Sequence, residues 1–338
     1  MKLFRHIHTR VVLLVLAGVV ALGIGAGLAF ARGNKATPIG TGVVVIDTNL
    51  AYQNGAAAGT GMVLSSSGEV LTNNHVIKGA TTIKVVVPRT GRSYAATVVG
   101  YDVSDDVAVL QLTGASNLKT VTVSTAKLTV GKAVTAVGNA GGTGTLSSAK
   151  GTITGLGKSI TASDDQGGVE QLTGLIETNA ALQPGDSGGP LVDSSGRVVG
   201  MDTAASTGFR FQAVTRTSDA YAIPIRTATS IAKAIVSGAA SATVHVGSTA
   251  FLGIQVGSLE QSSGALIVGV VPDGPAASAG LTPGDVITSV DGHSIFSPSD
   301  VGSLILTENP GTTVAVTYTD QSGTSQTANV VLGSGPAQ

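Results

Sequence analysis

From Val43 onward the chain reads as short apolar runs punctuated by turn residues. "VVVI" at Val43, "GMVL" at Gly61, "TIKVVV" at Thr82, "ATVVGYD" at Ala96, "VAVLQL" at Val107 and "AVTAVG" at Ala133 are separated by Gly, Asn, Asp and Ser. "LIET" at Leu175, "PLVD" at Pro190 and "VVGMD" at Val198 continue the series. Runs this short and this closely spaced predict the strands of a barrel or sandwich. The rhythm breaks at "PIRTATSIAKAIVSG", where Ile225, Ala228, Ala232, Ile235 and Val236 recur near helical spacing and Gly238 supplies a stop. That break predicts the end of a first domain, residues 36–238. "AASATVHVGS", within 239–249, reads as a linker. Residues 250–335 form a second block of roughly 85 residues, a reasonable size for an independent module.

One earlier run differs in kind. "VVLLVLAGVVALGIGAGLAFA", from Val11 to Ala31, is uncharged and about as long as a helix needs to cross a bilayer core of roughly 30 Å. Lys2, Arg5 and Arg10 precede it, a basic flank that predicts a cytoplasmic N-terminus and export of everything downstream. Residues 1–35 are therefore expected to be a tail and a transmembrane anchor in the cell membrane. A cleaved signal peptide, giving a secreted chain, is the alternative, because Ala29, Phe30 and Ala31 match an A-x-A site.

Composition narrows the class. Hydrophobic residues make up 42% of the chain and charged residues 12%, a balance that supports buried cores. With 47 Gly and no Trp, tight turns between strands are favoured over long helices. Lys plus Arg number 19 against 20 for Asp plus Glu, so there is no positive field to hold a nucleic acid. The absence of Cys removes disulfides, thiolate catalysis and Cys-ligated metals. Outside the N-terminal tail no His has a partner at ligand spacing, so no metal and no other cofactor is expected. His245 and His293 are expected to face solvent.

The candidate chemistry lies in "NAALQPGDSGGPLVD", from Asn179 to Asp193. Such a run is either a surface turn or a backbone cradle around one hydroxyl. Acyl transfer from an amide needs a nucleophile, a base beside it, a group orienting that base, and donors aimed at the developing oxyanion. Glycines on both sides of Ser187 permit a sharp path on which the Gly185 and Ser187 N–H groups converge next to Oγ. The base should be His75, in "EVLTNNHVIKGA", at a polar strand end. For the third member "DVSDDVAVLQL" offers Asp102, Asp105 and Asp106. Asp106 is chosen because it abuts the apolar strand, where a carboxylate is most easily buried against a ring. The order His, Asp, Ser is that of the chymotrypsin-type double barrel.

"LTNNHVI", "DDVAVLQL", "LIETNAALQPGDSGGPLVD", "VVGMDTAA" and "YAIPI" resemble successive signature segments of the HtrA (Deg) serine proteases. "FLGI" at Phe251 and "GALIVGVVPDGPAASAGLTPGDVITSVDGHSI" from Gly264 resemble the PDZ module of that family. The resemblance implies a mainly β chain: a chymotrypsin-like double β-barrel followed by a PDZ domain, with an N-terminal transmembrane helix. It implies His75, Asp106 and Ser187 as the triad, Gly185 and Ser187 as oxyanion donors, and unfolded or damaged proteins as substrates. A non-catalytic PDZ binding protein on the same scaffold is the rival reading, and a decayed enzyme would be expected to lose His75 or Ser187 first.

In chymotrypsin-like barrels the base of the pocket for the side chain before the cut lies six residues ahead of the nucleophile, here at Ala181. No carboxylate stands there to pair with Lys or Arg, so cleavage after small or medium aliphatic residues is expected. By resemblance Met201, Asp202, Thr203 and Ala204 form the pocket wall and pair with substrate backbone. The loop "STGFRFQAVTRTSDA", with Phe209 and Phe211, is bulkier than the family pattern. Family trimers rest on N-terminal aromatics; Tyr52 is the aromatic residue available here, a slender basis for a trimer. In the second block, Phe251, Leu252, Gly253 and Ile254 fit the loop that holds a peptide's terminal carboxylate, and "SDVGSLIL" fits the helix across the groove.

Overall fold

The computed structural model describes residues 38–164, 169–203, 209–211, 220–259 and 263–337. The expected membrane anchor and Ala204 lie outside them. Among the described residues no helix is long and apolar enough to cross a membrane.

The first barrel comprises β1 (Val43–Leu50), β2 (Gly55–Val63), β3 (Glu69–Thr72), β4 (Thr82–Val87), β5 (Arg92–Asp102) and β6 (Val107–Leu112), with the one-turn helix α1 (Asn74–Ile77) after β3. Antiparallel pairing runs in the order β5, β4, β1, β2, β3, β6, and a β5–β6 ladder closes the ring. The second barrel is built from β7 (Ala133–Gly138), β8 (Ser147–Asp164), β9 (Val169–Thr178), β10 (Pro190–Asp193), β11 (Val198–Thr203), β12 (Phe209–Phe211) and β13 (Ala220–Pro224). Its order is β8, β7, β10, β11, β13, β9, closed by β8–β9, with β12 extending β8.

The continuous apolar runs have a common cause, since several strands are buried on both faces. In β6, Ala108, Leu110 and Leu112 fill the first barrel. The alternate residues Val107 and Val109 instead join a core lying between the barrels. In β1 the same period-2 split sends Val44 and Ile46 inward and Val43 outward. In β11, Val199 joins the core of the second barrel while Val198 and Met201 join the core between the barrels, the alternation being broken where the β10–β11 ladder shifts register around Val199. Helix α2 (Ile225–Val236) adds Ile225, Ala228, Ala232 and Ile235 to the core between the barrels. The loops that leave β3, enter β6 and enter β10 therefore meet along one seam.

The stretch expected as a linker contains β14 (Val244–Val246), which pairs with β5 through Val244 and Asp102. A side chain at position 100 would collide with the His245 carbonyl, so Gly100 is what lets the two strands approach. The His245 ring stacks on the fully buried Tyr101 at 4.9 Å between centroids, with its Nε2 out of solvent. The expectation that His245 faces solvent is thus corrected: pairing of β14 lays the ring against the barrel. His293 is exposed.

The second module has its own core, including Ile267, Ile287, Val301, Ile305, Val314 and Val330. Its elements are β15 (Thr249–Phe251), β16 (Ile254–Gly257), β17 (Ala265–Val270), α3 (Pro275–Ser278), β18 (Val286–Val290), β19 (His293–Ser294), α4 (Pro298–Leu306), β20 (Thr313–Thr319), β21 (Ser325–Val331) and β22 (Gly333–Gly335). The main sheet runs β16, β17, β18, β20, β21, leaving β16 as an edge, while β15 pairs with β22.

Candidate active site

Asp106 sits at the turn into β6 with φ of 52°, a left-handed conformation that Asp tolerates better than most residues. The turn is held from across the seam: Asn73 donates from Nδ2 to the Asp106 carbonyl at 2.9 Å. This aims the carboxylate at α1. Oδ1 accepts the His75 backbone N–H at 2.9 Å, and Oδ2 lies 2.8 Å from His75 Nδ1 and accepts the Thr203 hydroxyl at 3.2 Å. An ionised carboxylate only accepts, so Nδ1 carries the proton and the second ring nitrogen, on the far side of the imidazole, is left as the basic one. The two side chains are 3% and 1% exposed, which strengthens the pairing relative to water. Asp102 is committed elsewhere, accepting from the Asp105 N–H at 3.1 Å and the Thr243 hydroxyl at 2.9 Å. Burial, then the neighbouring Asp102 charge, raises the Asp105 carboxyl pKa.

The Ser187 loop is packed against both of these residues' neighbours. Gly185 and Gly188 have φ of 97° and 82°. A side chain at position 188 would collide with the Thr60 carbonyl and the Thr72 hydroxyl, three residues before His75. The Gly188 N–H donates to the Asp202 carbonyl at 2.9 Å, and Asp202 N–H donates to the Gly189 carbonyl at 2.7 Å. Asp202 precedes Thr203, the residue that touches Asp106. Ser187 is thus brought to the seam with 1% exposure, between the segments that carry His75 and Thr203. The Pro184 carbonyl accepts the Gly141 N–H at 2.8 Å. In a trans peptide the following N–H points the opposite way, so the Gly185 N–H is turned away from Gly141.

The other sequence-predicted pocket residues are not gathered in the same manner. Ala181 is exposed, and the buried residue of that turn is its neighbour Ala180. Met201 is buried between the barrels, and the Thr203 hydroxyl is engaged with Asp106. β11 is paired on both sides over Met201 and Asp202, so its backbone there is already occupied. Ala204 lies outside the described residues. Asn73, which anchors the Asp106 turn, and Thr60, beneath the Ser187 loop, are neighbours that sequence reasoning missed; Thr203, expected in the pocket wall, donates to Asp106, a contact the sequence did not suggest.

Asp202 is an unusual neighbour for the Ser187 loop. It is fully buried and neither carboxyl oxygen has a hydrogen-bond partner among the described residues. Burial, reinforced by Asp186, pushes its pKa well above the ordinary carboxylate range. Asp186 is itself pushed up by burial, partly offset by the Gln183 N–H on its Oδ2 at 2.9 Å. A raised folded-state pKa means that Asp202 costs nothing below its unfolded pKa. Stability then falls as pH rises from about 3.9 toward the folded value, by about 1.4 kcal/mol per pH unit. Asp202→Asn is predicted to raise Tm more at pH 8 than at pH 5. Thermal melts of both proteins across that range check this; an equal Tm difference at the two pH values would count against a neutral buried acid.

In the second module Gly253 has φ of 80°, and the Leu252 and Gly253 carbonyls accept from Ala276 and Val271 N–H groups at 3.0 and 2.9 Å. Leu252 is buried and Ile254 begins the edge strand β16. The Phe251 ring stacks on Tyr52 of the first domain at 5.2 Å. Tyr52, the aromatic considered for subunit contacts, therefore meets the second module of its own chain. Among the described residues no group of three or more His, Cys, Asp and Glu side chains is placed to hold a metal ion.

Comparison with known proteins places this geometry in a family. Residues 59–201 match the trypsin-like peptidase domain and residues 250–332 match the PDZ domain. The chain is 35% identical over 304 residues to the serine protease PepD of Mycobacterium tuberculosis, covering 86% of this chain and 63% of PepD. It is 32% identical over 298 residues to the serine protease Do-like HtrA of Lactococcus lactis, covering 82% of this chain and 71% of that one. Among solved structures, the HtrA-type protease AlgW with tripeptide is 27% identical with a TM-score of 0.51, over 89% of this chain and 96% of that chain. The chain spans less than two thirds of the length of PepD. With a trypsin-like double barrel, a following PDZ domain and relatives of this kind, the chain belongs to the HtrA family of serine proteases.

Proposed function

We propose that the chain is an exported serine endopeptidase that cuts unfolded or damaged proteins. The observation that carries the reading is the buried His75–Asp106 pair, 2.8 Å apart, beside the glycine-flanked Ser187 loop. In this mechanism Ser187 Oγ adds to the scissile carbonyl carbon as its proton passes to the second nitrogen of His75. Asp106 holds the imidazole tautomer and stabilises the imidazolium. The Gly185 and Ser187 N–H groups take the oxyanion. The C–N bond breaks as His75 returns the proton to the leaving amine, and water, deprotonated by His75, releases the acyl group and restores Ser187.

In this reading the double barrel and the PDZ domain act outside the cytoplasm, tethered to the membrane; the uncharged apolar segment from Val11 to Ala31 and the basic residues before it support that reading. In the PDZ domain a peptide would add as a strand to the edge of β16, its carboxylate received at the Phe251 to Ile254 loop. With Ala181 at the pocket base and no carboxylate there, cleavage after small or medium aliphatic residues is expected. A casein digest with every cut site mapped tests activity and pocket together. A majority of cuts after Val, Ala, Ile or Leu is predicted; a majority after Lys or Arg would overturn the pocket assignment, and no digestion would count against the enzyme itself.

A further inference from the structure

Thr60, in the middle of β2, is wholly buried and engages four polar groups on three other segments. Its hydroxyl donates to the Gly185 carbonyl at 2.7 Å and accepts the Asn139 N–H at 2.9 Å. Its own N–H donates to the Ser187 carbonyl at 2.8 Å, and its carbonyl accepts the Thr72 hydroxyl at 2.8 Å. Asn139 opens the turn whose Gly141 N–H holds the Pro184 carbonyl. The Asp186 carbonyl, next in line, is held by the Gly189 N–H at 2.9 Å. Every carbonyl from Pro184 to Ser187 is thereby fixed, and two of the four are fixed by one residue of the opposite barrel.

This matters because the loop is intrinsically free to turn. Gly185 at φ of 97° and Gly188 at 82° have no Cβ to resist rotation of the intervening peptides. An oxyanion hole requires the Gly185 and Ser187 N–H groups to point at one place; each lies opposite the preceding carbonyl, that of Pro184 or Asp186, and the Gly185–Asp186 peptide between them sets how those two planes lie relative to each other. We propose that Thr60 is a positioning residue for the oxyanion hole, its hydroxyl locking the Gly185–Asp186 peptide that links the two donor-bearing peptides and tying it to the Asn139–Gly142 turn, which holds the Pro184 carbonyl. The inference rests on the serine-protease reading above.

The test compares wild type with Thr60→Val, which removes the hydroxyl at nearly constant volume, and Thr60→Ser, which keeps it. The readouts are kcat and KM on a peptide ester or amide, the Ki of a peptide aldehyde that forms a tetrahedral adduct, and Tm. Thr60→Val is expected to lower kcat by about 10- to 100-fold, below the loss seen on deleting an oxyanion donor outright. KM should stay within about twofold and the aldehyde should weaken in step with kcat, as for an interaction made only in the transition state. Thr60→Ser should restore most of the activity. Thr60→Val with unchanged kcat, a loss confined to KM, or a Thr60→Ser enzyme as impaired as Thr60→Val would overturn the proposal. Should Thr60→Val fail to fold, Thr60→Ala takes its place in the same assays; failure of both to fold would reduce Thr60 to a stabilising residue and overturn the proposal as well. A wild type that neither hydrolyses peptides nor binds the aldehyde would instead sink the parent reading.

Discussion

Replacing Ser187 by alanine is expected to lower peptide hydrolysis by about 10⁵- to 10⁶-fold in kcat while leaving a folded protein. In the proposed mechanism the loss is this large because the hydroxyl oxygen is the atom that bonds to substrate; without it the oxyanion donors and His75 can assist only a much slower attack by water. The fold is spared because the loop is held through backbone groups, the Ser187 carbonyl by Thr60 and the flanking glycine amides by Asp202 and Asp186. Steady-state assays with a chromogenic peptide, beside a melt showing Tm within a few degrees of wild type, check both halves. Retention of more than about 1% of activity would mean that another group supplies the nucleophile, well outside the range seen for such deletions.

Asp106→Asn is expected to cost about 10⁴-fold in kcat, again with the fold intact. The backbone is not the reason, since Asn also tolerates the left-handed conformation found at φ of 52°. The reason is the count of donors. Asp106 receives the His75 N–H, His75 Nδ1–H and the Thr203 hydroxyl, so all of its contacts require an acceptor. An amide must present its NH₂ to one side. Toward His75 Nδ1, it forces the proton onto the nitrogen that should receive one from Ser187; toward the backbone N–H, it leaves two buried donors facing each other. Activity measurement paired with NMR of the imidazole protons distinguishes the tautomer change from unfolding.

How far the sequence discloses this arrangement depends on what each segment buries. β6 and the first halves of β1 and β11 carry unbroken or nearly unbroken apolar runs because side chains from both faces are buried, some in a barrel and some in the seam between barrels, so these runs stand out locally. β8 is the longest strand of the protein's second barrel and leaves little trace in the sequence. Its "SSAKGTITGLGKSITASD" is rich in Gly and polar residues, and its ladder to β9 breaks register at several places, so the period-2 signal never accumulates. β14 hides in a linker-like stretch because it is an added strand whose room comes from Gly100, far away in sequence.

The site divides along the same line. Ser187, His75 and Asp106 stand beside glycines or at strand ends where a polar residue interrupts an apolar pattern. Their supports do not. Thr60 lies within "GTGMVL" and reads as an ordinary strand residue, although a Thr between glycines at the head of an apolar run is the trace it leaves. Asn73 and Thr203 acquire their roles only when the barrels close and bring β3, the turn before β6 and β11 together. Ala181 is singled out only by its spacing from Ser187, with no local pattern to mark it, and the structure leaves its side chain exposed.

The most direct measurement is labelling of the purified chain by a fluorophosphonate probe, followed by mapping of the modified residue. The account predicts one label per chain, on Ser187, abolished by Ser187→Ala and strongly slowed by Asp106→Asn. A fully folded wild type that stays unlabelled, both alone and with a peptide offered to the PDZ domain, would contradict it.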